Sequence, residues 1–250
     1  MTVISDTPYP ATAGVKMHYL IRRRPAATRE ELLVHWFASH MPPVIKMREQ
    51  LQAAGQPFPR RYLATLFQPD ANGHHPWDGV AQLWWDQALP DPDEPHGTHP
   101  SDTFQQKAEP YSPWATTEYV VLDDGGRLAS EPNTLGAPWP ATRSGFFKIN
   151  ILVAAKAGTD FDALGKHWLQ EHAGNVTRTL GEVGGFRYVI NLSRDPARAP
   201  YAGLAELYFD SADGWAGFLK QSKPDGFETF MDMDRTVIQS AETEMIGIPG

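Results

Sequence analysis

Apolar positions recur along the chain at two periods, and the same succession of periods occurs twice. Residues 17–21 and 149–153 are short aliphatic and aromatic runs that predict strands. Behind each run, Leu32, Trp36 and His40, or Leu164, Trp168 and His172, fall at helical spacing and share one predicted face. Thr28 and Glu31 form a capping box ahead of the first helix, and Asp160 caps the second. Pro42-Pro43 and Gly174 are expected to end or kink these helices just past the histidine. A second helical stretch comes next, at 44–51 and 176–180. Strands are then predicted at 61–67 and 186–192, at 79–85 and 203–209, and at 117–122 and 243–248. A further helix stands out at 211–221 in the second copy. The order βαββαβ is the ferredoxin-like split arrangement, with helices on one face of an antiparallel sheet.

Direct comparison of the two halves turns this parallel into a duplication. Lys16, Leu20 and Leu32 match Lys148, Leu152 and Leu164. His35-Trp36 and His40 match His167-Trp168 and His172, and both residue types are rare. Farther on, Arg61-Tyr62 matches Arg187-Tyr188, the strand Gly79 to Asp86 matches Gly203 to Asp210, and Thr103-Phe104 is set against Thr229-Phe230. Repeat one is assigned to 14–122, a Gly- and Pro-rich linker to 123–144, and repeat two to 145–250. Residues 87–101, with Pro90, Pro92, Pro95 and Pro100, belong to the first copy alone and read as a surface flap. The expected fold is α+β, two ferredoxin-like βαββαβ repeats packed as an intrachain pseudo-dimeric α+β barrel.

Composition narrows the function classes. Hydrophobic residues make up 41% and charged residues 21%, enough for a sizeable core. A net charge of −8 argues against a nucleic-acid partner, and the short run Arg22-Arg23-Arg24 does not reverse that. The absence of cysteine removes disulfides, thiolate catalysis and Cys-type metal sites. No window is apolar enough for a membrane span, and the first residues do not read as a signal peptide. The expected location is the cytoplasm. Neither a phosphate-binding glycine loop nor a GxSxG elbow is present.

The strand with its lysine, the capped helix ending in Trp-x3-His, and the later strand Gly-x-Ala-x-Leu-aromatic-aromatic-Asp resemble the EthD family, over most of 16–122 and 148–248. The resemblance implies the dimeric α+β barrel superfamily. Its members include aromatic polyketide cyclases and dehydratases, lactone isomerases, cofactor-free monooxygenases, haem-binding peroxidases and accessory proteins. In many of them the pocket lies between the sheet and its own helices, with histidine as acid–base.

His40 and His172 are the leading catalytic candidates, since they share the tryptophan face and imidazole exchanges protons near neutral pH. The competing reading is a structural histidine at a helix end. His18, matched by Asn150, is a further candidate in the first copy if its strand face meets the helices. Tyr62 offers a phenol to polarise a carbonyl. Trp36, Trp168 and Tyr188 are expected as pocket walls. His35 and His167 are also substrate-contact candidates, about 100° around an α-helix from the tryptophans. His74, His75, His96 and His99 lie in Pro-rich loops and are not expected to form a metal site. The expected function is a cofactor-independent lyase or isomerase of cyclase or dehydratase type. Its partner would be a small apolar, aromatic or polyketide-like carbonyl compound, and a homodimer is allowed. The alternatives are a cofactor-free monooxygenase or haem-binding member, and a non-catalytic binder of hydrophobic ligands.

Overall fold

A computed structural model describes residues 3–69, 76–132 and 138–250. Its contacts divide the chain into two compact units that interleave along the sequence. One comprises Met1–Ala13, Ala115–Leu128 and Gly145–Glu242; the other comprises Gly14–Trp114, Ala129–Ser144 and Thr243–Gly250. The last strand of each repeat is thus divided from, or shared beyond, the unit that holds the rest of it.

The unit of the first copy is built on β1 (Val15–Ile21), β2 (Arg61–Phe67) and β3 (Gly79–Trp85), antiparallel in the order β2-β3-β1. Between β1 and β2 run α1 (Arg29–His35) and α2 (Met41–Ala53), joined through a π-helical turn at Trp36–His40. A short helix, α3 (Thr103–Lys107), comes after β3. Within the span read as a linker, β5 (Ala141–Arg143) pairs with the end of β9 (Val237–Ile248), and β9 also joins β2.

The other unit carries the order β4-β7-β8-β6-β9, with β4 (Trp114–Leu122), β6 (Phe147–Val153), β7 (Gly185–Ser193) and β8 (Gly203–Phe209). Its helices are α4 (Phe161–His167), α5 (Ala173–Glu182) and α6 (Ala212–Gln221), with a second π-helical turn at Trp168–His172. No helix of the described residues is long and apolar enough to cross a membrane.

The caps form as the sequence dictates. Thr28 accepts from the Glu31 amide while Glu31 accepts from the Thr28 amide, and Asp160 accepts from the Asp162 and Ala163 amides. The prolines do not end the first helix. Pro42 and Pro43 instead occupy the first turn of α2, where missing amide donors cost least. In the second copy Gly174 is likewise carried within α5. The π turn appears in both copies, with proline in only one, so proline is not its cause.

That wide turn changes which residues share a side. Five-residue spacing comes into register in a π turn, and His167 therefore shares Asp225 with His172, at 3.9 Å and 2.8 Å. The separation of His167 expected from α-helical geometry is corrected accordingly, whereas His35 turns to Thr103. Each tryptophan is seated against a strand at a glycine. A Cβ on Gly203 would stand 2.8 Å from the Trp168 indole and 2.6 Å from the Asn191 carbonyl, and Gly79 leaves the same space for Trp36.

Candidate active site

Trp36 and Trp168 are fully buried, and each indole N–H donates to a tyrosine hydroxyl. The pairs are Trp36–Tyr62 at 2.8 Å and Trp168–Tyr188 at 3.0 Å. One turn later, each leading histidine meets an aspartate absent from the candidates read in the sequence. His40 Nδ1 lies 2.6 Å from Asp102, and His172 Nδ1 lies 2.8 Å from Asp225. A carboxylate only accepts, so Nδ1 carries the proton in both and Nε2 of the neutral ring is left as the acceptor. Phe104 lies tilted against His40 at 4.6 Å and Phe227 stacks on His172 at 4.3 Å, and both also touch the tryptophans.

The repeated element is therefore Asp-x-Phe: Asp102-Thr103-Phe104 and Asp225-Gly226-Phe227. This corrects the pairing of Thr103-Phe104 with Thr229-Phe230, since Phe227 and not Phe230 takes the place of Phe104. Both aspartates also fasten the backbone just C-terminal to themselves. Asp102 accepts from the Gln105 amide, and Asp225 accepts from the Phe227 amide and from Asn175.

In the first copy this arrangement faces a cavity. A mainly apolar cavity of about 280 Å³ is walled by Trp36, His40, Tyr62, Phe104, Trp85 and Leu89, among others. It lies between the sheet and the helices, on the side of β1 that carries Tyr19 and Ile21. His18 is on the opposite side of β1, buried against Trp114 at 5.2 Å and beside Gln82. The structure does not bring it to His40. His35 is turned to the Thr103 hydroxyl at 2.9 Å and is not part of the cavity wall.

In the second copy the matching residues Val153, Trp168, Val176, Tyr188, Ala205, Leu207 and Phe209 belong to one packed hydrophobic cluster. Ile4, Tyr9, Ala11, Trp215 and Phe218 fill it out. The N-terminal segment is fastened there by the Ile4 amide, which donates to the Tyr119 hydroxyl at 3.0 Å, and by Gln170, which donates to the Asp6 carbonyl at 2.6 Å. His167 stacks on Phe227 within the same cluster's edge. His172 borders a different space, an open groove lined by Asn175, Arg178, Lys223 and Asp225.

The two phenols nearest the tryptophans stay protonated, because burial pushes Tyr62 and Tyr188 far above the ordinary phenol range. Burial pushes His172 below the ordinary imidazole range, against the pull of Asp225. Asp225 is pushed up by burial, but hydrogen bonds from Asn175 and His172 hold it below the ordinary carboxylate value. Both shifts have one sign in the stability. Below about pH 6.5, the ordinary value for histidine, the unfolded chain binds a proton that folded His172 resists; Asp225 adds to the loss as pH falls further. Denaturant midpoints measured from pH 7 to pH 5 are expected to fall for the wild type and to fall less for His172→Gln. Equal slopes would place the acid sensitivity elsewhere.

His74 and His75 lie outside the described residues. His99 pairs with Glu94 on the surface, while His96 joins the cavity wall. Among the described residues no group of three or more His, Asp or Glu is arranged to hold a metal ion.

No family profile and no curated protein sequence matches the chain. Solved structures do. A variant of chlorite dismutase from Candidatus Nitrospira defluvii superposes with a TM-score of 0.50 at 10% identity, covering 92% of this chain and 92% of that one. A proposed monooxygenase from Fusobacterium nucleatum gives 0.45 at 10% identity, covering 95% and 96%. A haem-binding protein from Thermus thermophilus gives 0.39 at 12% identity, covering 96% and 93%. The first likeness defines the fold alone, and the two looser ones add nothing to it. The chain has a mixed α+β fold on antiparallel sheet, similar to that of chlorite dismutase.

Proposed function

We propose that the chain is a cofactor-independent lyase or isomerase, of tandem EthD-like organisation, acting on a small aromatic or polyketide-like carbonyl compound in the first-copy cavity. The observation that carries this reading is the His40–Asp102 pair set in the wall of an apolar cavity. Asp102 fixes the tautomer and stabilises the imidazolium that forms, which is the ordinary role of a carboxylate behind a catalytic histidine. His40 Nε2 takes the proton on the carbon beside the carbonyl, and the C–H electron pair becomes the enolate. Tyr62 already accepts from Trp36, so its own hydrogen remains to donate to the enolate oxygen. Return of the proton at another carbon gives an isomerase. Its delivery to a departing β-hydroxyl gives water and a new double bond, the dehydratase outcome. An acidic chain without nucleic-acid or membrane features suits small-molecule work in the cytoplasm.

The fold family also raises haem. The cavity is at the lower edge of the roughly 300–1,000 Å³ that drug-sized ligands occupy, and its wall carries no lysine or arginine for propionate groups. These residues do not fit a porphyrin, and no step is routed through one. A second reading has its own observation. The His–Asp–Phe element recurs beside the filled second copy, which suits a structural role and a protein that binds without catalysing.

The two readings part on one experiment. In D2O, the α-hydrogens of 1-tetralone are expected to exchange faster with the protein than in buffer alone, as measured by proton NMR. Binding of tetralone with no added exchange would replace the enzyme by the accessory binder.

A further inference from the structure

The cavity wall carries a further polar cluster beside His40 and Tyr62. Tyr19, His96 and Tyr111 meet there, with ring centroids 5.8 Å, 5.7 Å and 6.1 Å apart, and all three line the cavity. Tyr19 is matched by Ile151 in the second copy. Where 87–101 carries His96, the second copy has 211–224 between Asp210 and Asp225, a span that contains α6, which corrects the reading of 87–101 as an insertion. The duplication thus acts as an internal control. Trp–Tyr and His–Asp–Phe occur in both copies, whereas Tyr19 and His96 stand only in the first.

His96 is not a stray loop residue. Its amide donates to the Tyr111 carbonyl at 2.8 Å, and the Tyr111 amide donates back to the His96 carbonyl at 3.0 Å. Gly97 then turns the chain with φ of 80°, and Arg24 donates to its carbonyl at 3.3 Å. The loop is therefore ordered by its own hydrogen bonds, and ligand binding need not supply that ordering entropy.

The charge state suits a neutral oxygen. Burial, with Tyr111 adding, pushes Tyr19 far up, and burial pushes Tyr111 up to about 12, so both hydroxyls remain donors. Burial, and then His40, pushes His96 below its ordinary range, which leaves a neutral ring with one N–H. Without a cation in the wall, the site favours an oxygen on which charge grows over one that arrives as an anion.

We propose that His96, with Tyr19 and Tyr111, forms an oxygen-binding pole that donates hydrogen bonds to a carbonyl or phenolic oxygen of an uncharged aromatic ligand. His96 is the contact delivered by the loop 87–101, where the second copy has α6. The proposal rests on the first-copy cavity being the ligand site.

The test uses 1-tetralone labelled with 13C at the carbonyl and isotope-edited infrared difference spectra of the full chain. The wild type is expected to shift the carbonyl band to lower frequency. His96→Phe and Tyr19→Phe should each return part of that shift with tetralone still bound, and His96→Gln, which keeps an N–H, should restore it. A bound carbonyl at the same frequency in His96→Phe and wild type overturns the proposal. An unshifted carbonyl with continued α-hydrogen exchange removes the pole and leaves the acid–base reading. A shifted carbonyl with no exchange keeps the pole and removes the acid–base reading.

Discussion

Replacing His40 by alanine is expected to slow tetralone α-hydrogen exchange by about 10²–10⁴-fold, the usual worth of a positioned general base. His172→Ala is expected to leave the rate unchanged. Both imidazoles have the same chemical surroundings: a carboxylate on Nδ1, a phenylalanine ring in contact and a tryptophan one turn earlier. They differ in the space beyond them, a cavity in one case and an open polar groove in the other. Asp102→Asn should also slow exchange, through the tautomer, and should leave tetralone affinity near that of the wild type. Loss from His172→Ala instead would move the chemistry to the second copy. An undiminished rate in His40→Ala would leave the Asp102 pair as a helix-to-loop fastening.

The largest effect on stability is expected at Trp168. Trp168→Ala should lower the unfolding free energy by about 3–5 kcal/mol, as large aromatic truncations in a packed core do. The indole is buried to 1% exposure, lies tilted against Phe227 at 4.8 Å, and is within contact distance of the strand at Gly203. Its removal also strips the Tyr188 hydroxyl of its donor inside an apolar cluster, a loss of roughly 1–3 kcal/mol when a buried polar group is left unmet. Urea denaturation monitored by circular dichroism measures the difference. Trp36→Ala should cost less, because Trp36 already borders a cavity into which its neighbours can relax. Equal losses at the two sites would mean that the first-copy cavity is rigid.

The tryptophans were legible because Trp and His are rare and the helical period fixes their spacing. The caps at Thr28 and Asp160 were legible for a similar reason, since the motif and the bond it makes are both local. The π turns were not, because WFASH and WLQEH carry no residue that marks a wider turn. That gap misplaced His167 relative to His172. The side of His18 was hidden for another reason. Strand β1 is buried on both faces, so alternation gave no polar side to orient it. Asp102 and Asp225 escaped notice because they sit on unlike segments, an α-helical start in one copy and a 3-10 turn in the other. The available signal was the short Asp-x-Phe, displaced from the match that rows of Thr-Phe suggested. His96 lies in a loop whose counterpart in the second copy is a helix, and its bond pair with Tyr111 and its contact with Tyr19 mark it as part of the site.

The interleaving of the two compact units sets the order in which the chain can be finished on the ribosome. The unit that encloses the cavity needs Thr243–Gly250, where Glu244 accepts from Thr65 at 3.2 Å and Arg143 donates to Glu244 at 2.7 Å. The chain must emerge past Glu244, 179 residues beyond Thr65, before β2 gains that neighbour, so closure of the first copy waits on a distant strand. Contacts this distant in sequence slow folding and lengthen the time for which apolar strands stand uncovered. A nascent chain halted before residue 243 would leave the flank of β2 exposed to other chains.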